Sequence, residues 1–302
     1  MDWVRDLPDW PLSHLSRRVI CHPHQWHVQE DGTGDTLLLI HGAGGSTHSW
    51  RDILPRLAQS FHVVALDLPG QGFTRAGSKG RYSLPLMSQD ILSLCAAEKW
   101  RPKAIIGHSA GAALALSLAD HSARERGESP AVLGINAALG RFDGVASWLF
   151  PLLAKVLALN PLTAPAFAMG RGHLARARRL IDSTGSTLTE EGYALYGRLI
   201  ADRVHVDGTL QMMAQWNTDA LNDRLGAIEA RCLLIGCDND KAVSPRISSE
   251  ATSHLCHAEY LHLPDLGHLA HEENPDLLAQ VILKWLGDLR PAQPLTLPCE
   301  TP

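Results

Sequence analysis

The sequence predicts an α/β fold: a mostly parallel central sheet flanked by helices, with an inserted helical cap. Three observations carry this expectation. Short apolar runs alternate with helically spaced segments from about residue 36 to about residue 140, the rhythm of strands joined by right-handed helical crossovers. The alternation then stops, and text that is helical without strands runs to about residue 225 before strand-like runs resume. Finally, the apolar stretch Lys103-Ala104-Ile105-Ile106 ends in Gly107-His108-Ser109-Ala110-Gly111 and passes directly into an Ala- and Leu-rich run. The expected organisation is a core of residues 1–140 and 225–290, a cap of residues 141–224, and a disordered, patternless tail of residues 291–302.

Residues 1–20 read as an irregular arm with Trp3 and Trp10 as anchors, and Gln25 to Gln29 as an early strand. His22, His24 and His27 read as histidines of a surface strand, because no cysteine or carboxylate accompanies them at metal-ligand spacing. Gly32-Thr33-Gly34-Asp35 signals a turn, and Thr36 to Ile40 a strand covered on both faces. Trp50, Ile53, Leu54 and Leu57 predict a helix over 48–59; a strand follows at 62–67, a loop at 68–73 and a helix at 84–99. The spacing next gives a strand at 103–107, a helix at 110–122 and a strand at 131–135 that ends at Asn136. In the cap, residues 145–159 are apolar nearly all round, which suggests weak contact with a membrane surface. Arg171, Arg176, Arg178 and Arg179 read either as a solvated helix face or as basic groups presented to a hydrophobic, carboxylate-bearing ligand. Strands at 231–237 and 260–263 and helices at 245–254 and 275–288 complete the core.

Composition narrows the function. A net charge of −5 gives no basic footprint for nucleic acid. The six cysteines lack paired spacing and read as free thiols of a reducing compartment, hence a cytoplasmic protein. The first residues lack the apolar core of a signal peptide, and no run is long enough to span a bilayer. There is no Gly-x-x-x-x-Gly-Lys and no full dinucleotide fingerprint, so no cofactor or metal is expected.

The chemistry-bearing pattern is a serine, an acid and a histidine, each just past an apolar strand. A serine hydroxyl attacks a carbonyl only if a base takes its proton, and that base needs an acid to hold its tautomer. Ser109 is the nucleophile candidate, in the strand–turn–helix context that a nucleophile elbow requires. Asp240 is the acid candidate, with Asp238 as the alternative. His268 is the base candidate, while His271 reads as capping or pairing with Glu272. The developing oxyanion needs preorganised donors; the amides of Ala110, after the nucleophile, and Ala43, after strand 36–40, are the candidates.

The strings HGAGGSTHSWRD, ALDLPGQGFT, IGHSAGAALAL, LLIGCDNDKAV and LGHLAHEENP together resemble the α/β-hydrolase superfamily, over about residues 26–140 and 225–288. That resemblance implies the serine triad and favours Asp240 over Asp238, although Cys237 stands where many members have glycine. An aspartate nucleophile, as in epoxide hydrolases of related fold, is excluded if Ser109 occupies the elbow. The opening MDWVRDLPDWP and the cap phrases IDSTGS and MMAQWN extend the match to nearly the whole chain. They are similar to the magnesium-chelatase accessory proteins of bacteriochlorophyll biosynthesis. This implies a role near magnesium insertion into protoporphyrin IX, with a tetrapyrrole-related small molecule and magnesium chelatase subunits as partners.

Overall fold

The computed structural model describes residues 1–78, 80–140 and 172–289. The strands are β1 (Ser16–Cys21), β2 (His24–Asp31), β3 (Thr36–Ile40), β4 (His62–Leu66), β5 (Pro102–His108), β6 (Ala131–Ile135), β7 (Cys232–Cys237) and β8 (Ala258–Leu263). They form one sheet in the order β1-β2-β4-β3-β5-β6-β7-β8. The β1–β2 and β2–β4 pairs are antiparallel; every pair from β4 to β8 is parallel. The helices are α1 (Leu54–Leu57), α2 (Leu84–Ala97), α3 (Ala110–Arg126), α4 (His173–Ser183), α5 (Glu190–Ala201), α6 (Arg203–Gln215), α7 (Asp219–Asn222), α8 (Pro245–His254), α9 (Ala270–Glu273) and α10 (Pro275–Asp288).

Side chains alternate across a strand, so a parallel strand with helices on both faces must be apolar at every position. In β3, Leu38 and Ile40 enter the core shared with α2 and α3, while Leu37 and Leu39 enter the opposite core with Trp50, Leu278 and Ile282. Because β4 lies on one side of β3 and β5 on the other, the chain reverses direction across the sheet there. Ligand crevices of open α/β sheets form beyond the carboxyl ends at such a reversal. The helices α5 and α6 reach that edge: His205 and Gly208 of α6 touch the loops after β3 and β4, and Tyr196 of α5 bonds Glu272 beyond β8.

Three sequence expectations are corrected. Residues 16–20 of the expected arm belong instead to the edge strand β1, whose charged Arg17 and Arg18 and 71%-exposed Ile20 hide its single buried residue, Val19. His24 and His27 are buried rather than surface residues, held by Asp90 and Asp67. The helix expected over 48–59 splits into a 3₁₀ turn at Thr47–Trp50 and the short α1, with Pro55 in the first turn of α1; proline cannot supply the amide that would join them. Residues 145–159, Arg171 and the tail 291–302 lie outside the described residues. Among the described residues, no helix is long and apolar enough to cross a membrane.

Candidate active site

Ser109 sits where β5 turns into α3, at φ 52° and ψ −116°, backbone space that a residue with a side chain adopts only under constraint. The constraint is visible. Its amide donates to the Ile135 carbonyl at 2.9 Å, and its own carbonyl accepts from the Ala112 and Ala138 amides at 3.0 and 3.1 Å. The small neighbours are required. A Cβ on Gly107 would lie 2.2 Å from the Gly111 carbonyl oxygen, and one on Gly111 would lie 2.2 Å from that of Ile40.

His268, on the loop after β8, places Nδ1 2.7 Å from Asp240 Oδ2. The other carboxylate oxygen of Asp240 accepts from the Ala242 and Val243 amides, each at 2.8 Å. A carboxylate so held accepts, so the Nδ1 of His268 carries a proton, and in the neutral ring Nε2 is the nitrogen with the lone pair. Asp238 is elsewhere: half exposed, it pairs with His262 at 2.5 Å. The His268 carbonyl is held from two sides, by His108 Nε2 and Asn136 Nδ2, both at 2.9 Å. The same Asn136 amide reaches the Gly267 carbonyl at 3.0 Å, and its oxygen accepts from the Cys237 amide at 3.0 Å. One side chain at the end of β6 thus ties together the ends of β7 and β8. Among the described residues, the Ser109 hydroxyl makes no hydrogen bond to His268, whose own bonds are those just given.

Against Ser109 packs the loop after β3, where a Cβ on Gly42 would sit 3.1 Å from the Ser109 Cβ. The Ala43 and Ala110 amides donate no hydrogen bond among the described residues, while their surroundings are fixed. Gly44 N–H donates to Gln71 Oε1 at 2.7 Å, and Gly45 N–H to the Gly42 carbonyl at 3.0 Å. The Leu68 amide donates to His41 Nε2 at 2.9 Å, so His41 must bear its proton on Nδ1, which donates to the Gly42 carbonyl at 2.7 Å. Burial pushes His41 down, and it pushes His205, which spans Gly72 N–H and the Gly44 carbonyl, down to about 4. Neutral imidazoles therefore frame this loop.

His271 does not pair with Glu272, contrary to expectation. Its Nε2 lies 2.7 Å from Ser49 Oγ, and that hydroxyl also donates to Glu272 Oε1 at 2.8 Å. Glu272 is held further by Arg51 at 2.6 Å and by the Tyr196 hydroxyl at 2.7 Å. His108 and Asn136 carry little local sign of a site role in the sequence: Asn136 merely ends an apolar strand, as Asp240 nearly does. His22 is exposed while His24 and His27 have separate aspartate partners, so the three do not converge.

A family model described as the α/β hydrolase fold matches residues 35–275. The chain is 40% identical to the magnesium-chelatase 30 kDa subunit of Rhodobacter capsulatus, over 93% of this chain and 98% of that one. It is 25% identical to pyrrolizixenacetamide deacetylase of Xenorhabdus hominickii, over 85% and 92% respectively. Among solved structures, an epoxide hydrolase superposes with a TM-score of 0.76 at 19% identity, covering 91% of this chain and 99% of its own. An esterase from Thermogutta terrifontis superposes with a TM-score of 0.69, also at 19% identity, covering 90% and 98%. These two likenesses speak for the fold alone. Sheet order, elbow and sequence agree: the chain belongs to the α/β-hydrolase fold family, within the group that includes the magnesium-chelatase 30 kDa subunit.

Proposed function

We propose that this protein is a serine hydrolase that assists magnesium insertion into protoporphyrin IX during bacteriochlorophyll synthesis. It cleaves an ester or related acyl bond in a hydrophobic, tetrapyrrole-related compound and works beside magnesium chelatase subunits in the cytoplasm. The observation that carries the chemistry is the 2.7 Å bond between His268 Nδ1 and Asp240, beside a serine on a strained elbow. The relationship to the chelatase subunit supports the pathway.

In this reading His268 Nε2 takes the Ser109 proton as the oxygen attacks the acyl carbon, and Asp240 stabilises the imidazolium that forms. The oxyanion accepts from the amides of Ala43 and Ala110, which donate to no acceptor among the described residues; removing one such donor typically costs about 3–4 kcal/mol of transition-state stabilisation. His268 then gives its proton to the leaving oxygen, and water repeats the sequence on the acyl-enzyme. A catalytic hydrogen bond that is open in the free protein tightens once substrate fills the site, which fits the unbonded Ser109 hydroxyl.

Wild-type protein should be labelled by a fluorophosphonate probe and Ser109→Ala should not. A strain carrying Ser109→Ala should lose pathway function and accumulate the uncleaved compound. Unimpaired pigment synthesis in that strain would defeat the hydrolase reading. It would favour a second one, a non-catalytic accessory that holds a porphyrin or contacts the chelatase. The observation for this second reading is that the 40%-identical relative carries a subunit's name, not an enzyme's. Its test is protoporphyrin titration, with binding weakened by Arg179→Ala on the exposed face of α4. Arg178 is a poorer probe, because it already pairs with Glu190 at 2.6 Å and covers the Tyr193 ring.

A further inference from the structure

The acid and base loops are held together by a third segment that neither contains. The connection between α4 and α5 passes across both. The Thr184 carbonyl accepts from the Lys241 amide at 3.0 Å, next to Asp240. Two residues on, the buried Ser186 hydroxyl accepts from the Leu269 amide at 2.7 Å, next to His268. Gly185 lies between them at φ +84°, and a Cβ there would sit 1.7 Å from the Asn239 carbonyl oxygen. Packing is equally close on the other loop, where a Cβ on Gly267 would sit 2.3 Å from the Gly185 carbonyl oxygen. No side chain but hydrogen fits at either glycine, so the two loops and the segment between them meet backbone to backbone.

We infer that Ser186 is a positioning residue for His268, and that residues 184–186 of the inserted helices set the alignment of the His268–Asp240 pair. The inference rests on the hydrolase reading for its catalytic meaning, but its geometry stands apart from it. The Leu269 amide is buried, and its partner in the described residues is Ser186. Without that hydroxyl the amide must find another acceptor, and the simplest way is for residues 267–270 to shift. A shift of that backbone moves the His268 ring away from the acid loop, which Thr184 still holds. The pair is thus assembled by a segment that belongs to the inserted helices, and a rearrangement of those helices on ligand binding would be transmitted to the base.

The experiment compares wild type, Ser186→Ala and Ser186→Thr by three measurements on the full chain. These are fluorophosphonate labelling rate, thermal midpoint, and the low-field proton resonance of His268 Nδ1–H. Ser186→Ala should lower the labelling rate about tenfold, the worth of one hydrogen bond. It should also move or broaden the resonance while the protein stays folded. Ser186→Thr, which keeps the hydroxyl, should restore both. An unchanged resonance and labelling rate in a folded Ser186→Ala protein would overturn the inference. So would equal losses in both variants that track a lowered thermal midpoint, since that is the signature of a merely structural contact. If wild type itself resists labelling, the hydrolase reading fails; the resonance then decides the positioning role alone.

Discussion

Two histidine–aspartate pairs in this molecule share one geometry and differ in everything around it. In each, Nδ1 lies 2.7 Å from an aspartate Oδ2: His27 with Asp67, and His268 with Asp240. The first even continues to a serine, with His27 Nε2 2.9 Å from Ser16 Oγ, a bond the second lacks. Judged by hydrogen bonds alone, the better Ser–His–Asp chain is the one in the interior. Its surroundings show why it is a pin rather than a site. His27 and Asp67 are fully buried, the Trp3 and Phe73 rings stand edge-on against the imidazole, and Ser16 lies in the regular strand β1. Asp67 also takes the Thr47 and Phe73 amides, each at 2.7 Å, and so fastens the loops after β3 and β4. At the other pair the serine has the strained backbone, two nearby amides find no acceptor among the described residues, and the histidine side chain keeps 11% exposure where His27 has none. On the proposed hydrolase reading, reactivity would follow from the unsatisfied groups and the elbow, not from the bonded chain.

This contrast can be tested residue by residue. The largest effect is expected at Asp240→Asn, which favours the wrong His268 tautomer. Fluorophosphonate labelling should fall about ten-thousand-fold, with the thermal midpoint nearly unchanged. Asp67→Asn should do the reverse. Losing the charge of a buried, fully bonded pair should cost about 3–5 kcal/mol of stability, read by denaturant unfolding, while the folded fraction labels normally. If Asp67→Asn silenced a stably folded protein, the interior pair would have to be counted in the site.

Acid should separate the histidines from the carboxylate. Burial lowers His205 to about 4 and His271 to about 3. Below about pH 6.5 the unfolded chain therefore binds protons that the folded one refuses, and stability falls as pH drops toward those values, by up to about 1.4 kcal/mol per pH unit for each histidine. Burial alone would raise Asp67, but its electrostatic interaction and hydrogen bond with His27, together with His41 and the Phe73 amide, bring it to about 2. Its contribution is present above about pH 4 and is lost as pH falls toward 2. Unfolding midpoints should thus decline in two stages; a flat profile from pH 7 to 5 would contradict the neutral histidine frame. The smallest effect is expected at Ser16→Ala, which removes one partner from His27. It should cost about 1 kcal/mol and leave labelling untouched.

The legibility of the chain follows the same division. Strands β3 to β7 and the elbow were readable because each carries its signal locally, in an apolar run or in the glycines around Ser109. Asp240 and His268 were readable as polar residues just beyond such runs. The β1 edge strand was not, because an edge needs only one buried side chain, Val19, and shows the others to water. The burial of His24 and His27 was equally illegible, since Asp90 and Asp67 lie 66 and 40 residues away and no local pattern announces them. Ser186 escaped for the same reason: its partner, Leu269, is 83 residues distant.

The clasp made by Asn136 has an implication for engineering. Its side chain, on a residue at φ 48°, grips two successive carbonyls beyond β8 and one amide at the end of β7. Insertions or deletions between Leu263 and Gly267 would change the chain length that must arrive at that grip, and the imidazole would be delivered out of register. Loop grafts, tags or permuted termini meant to leave the crevice working belong instead at the solvent-facing turn of Glu128, between α3 and β6, on the opposite rim of the sheet.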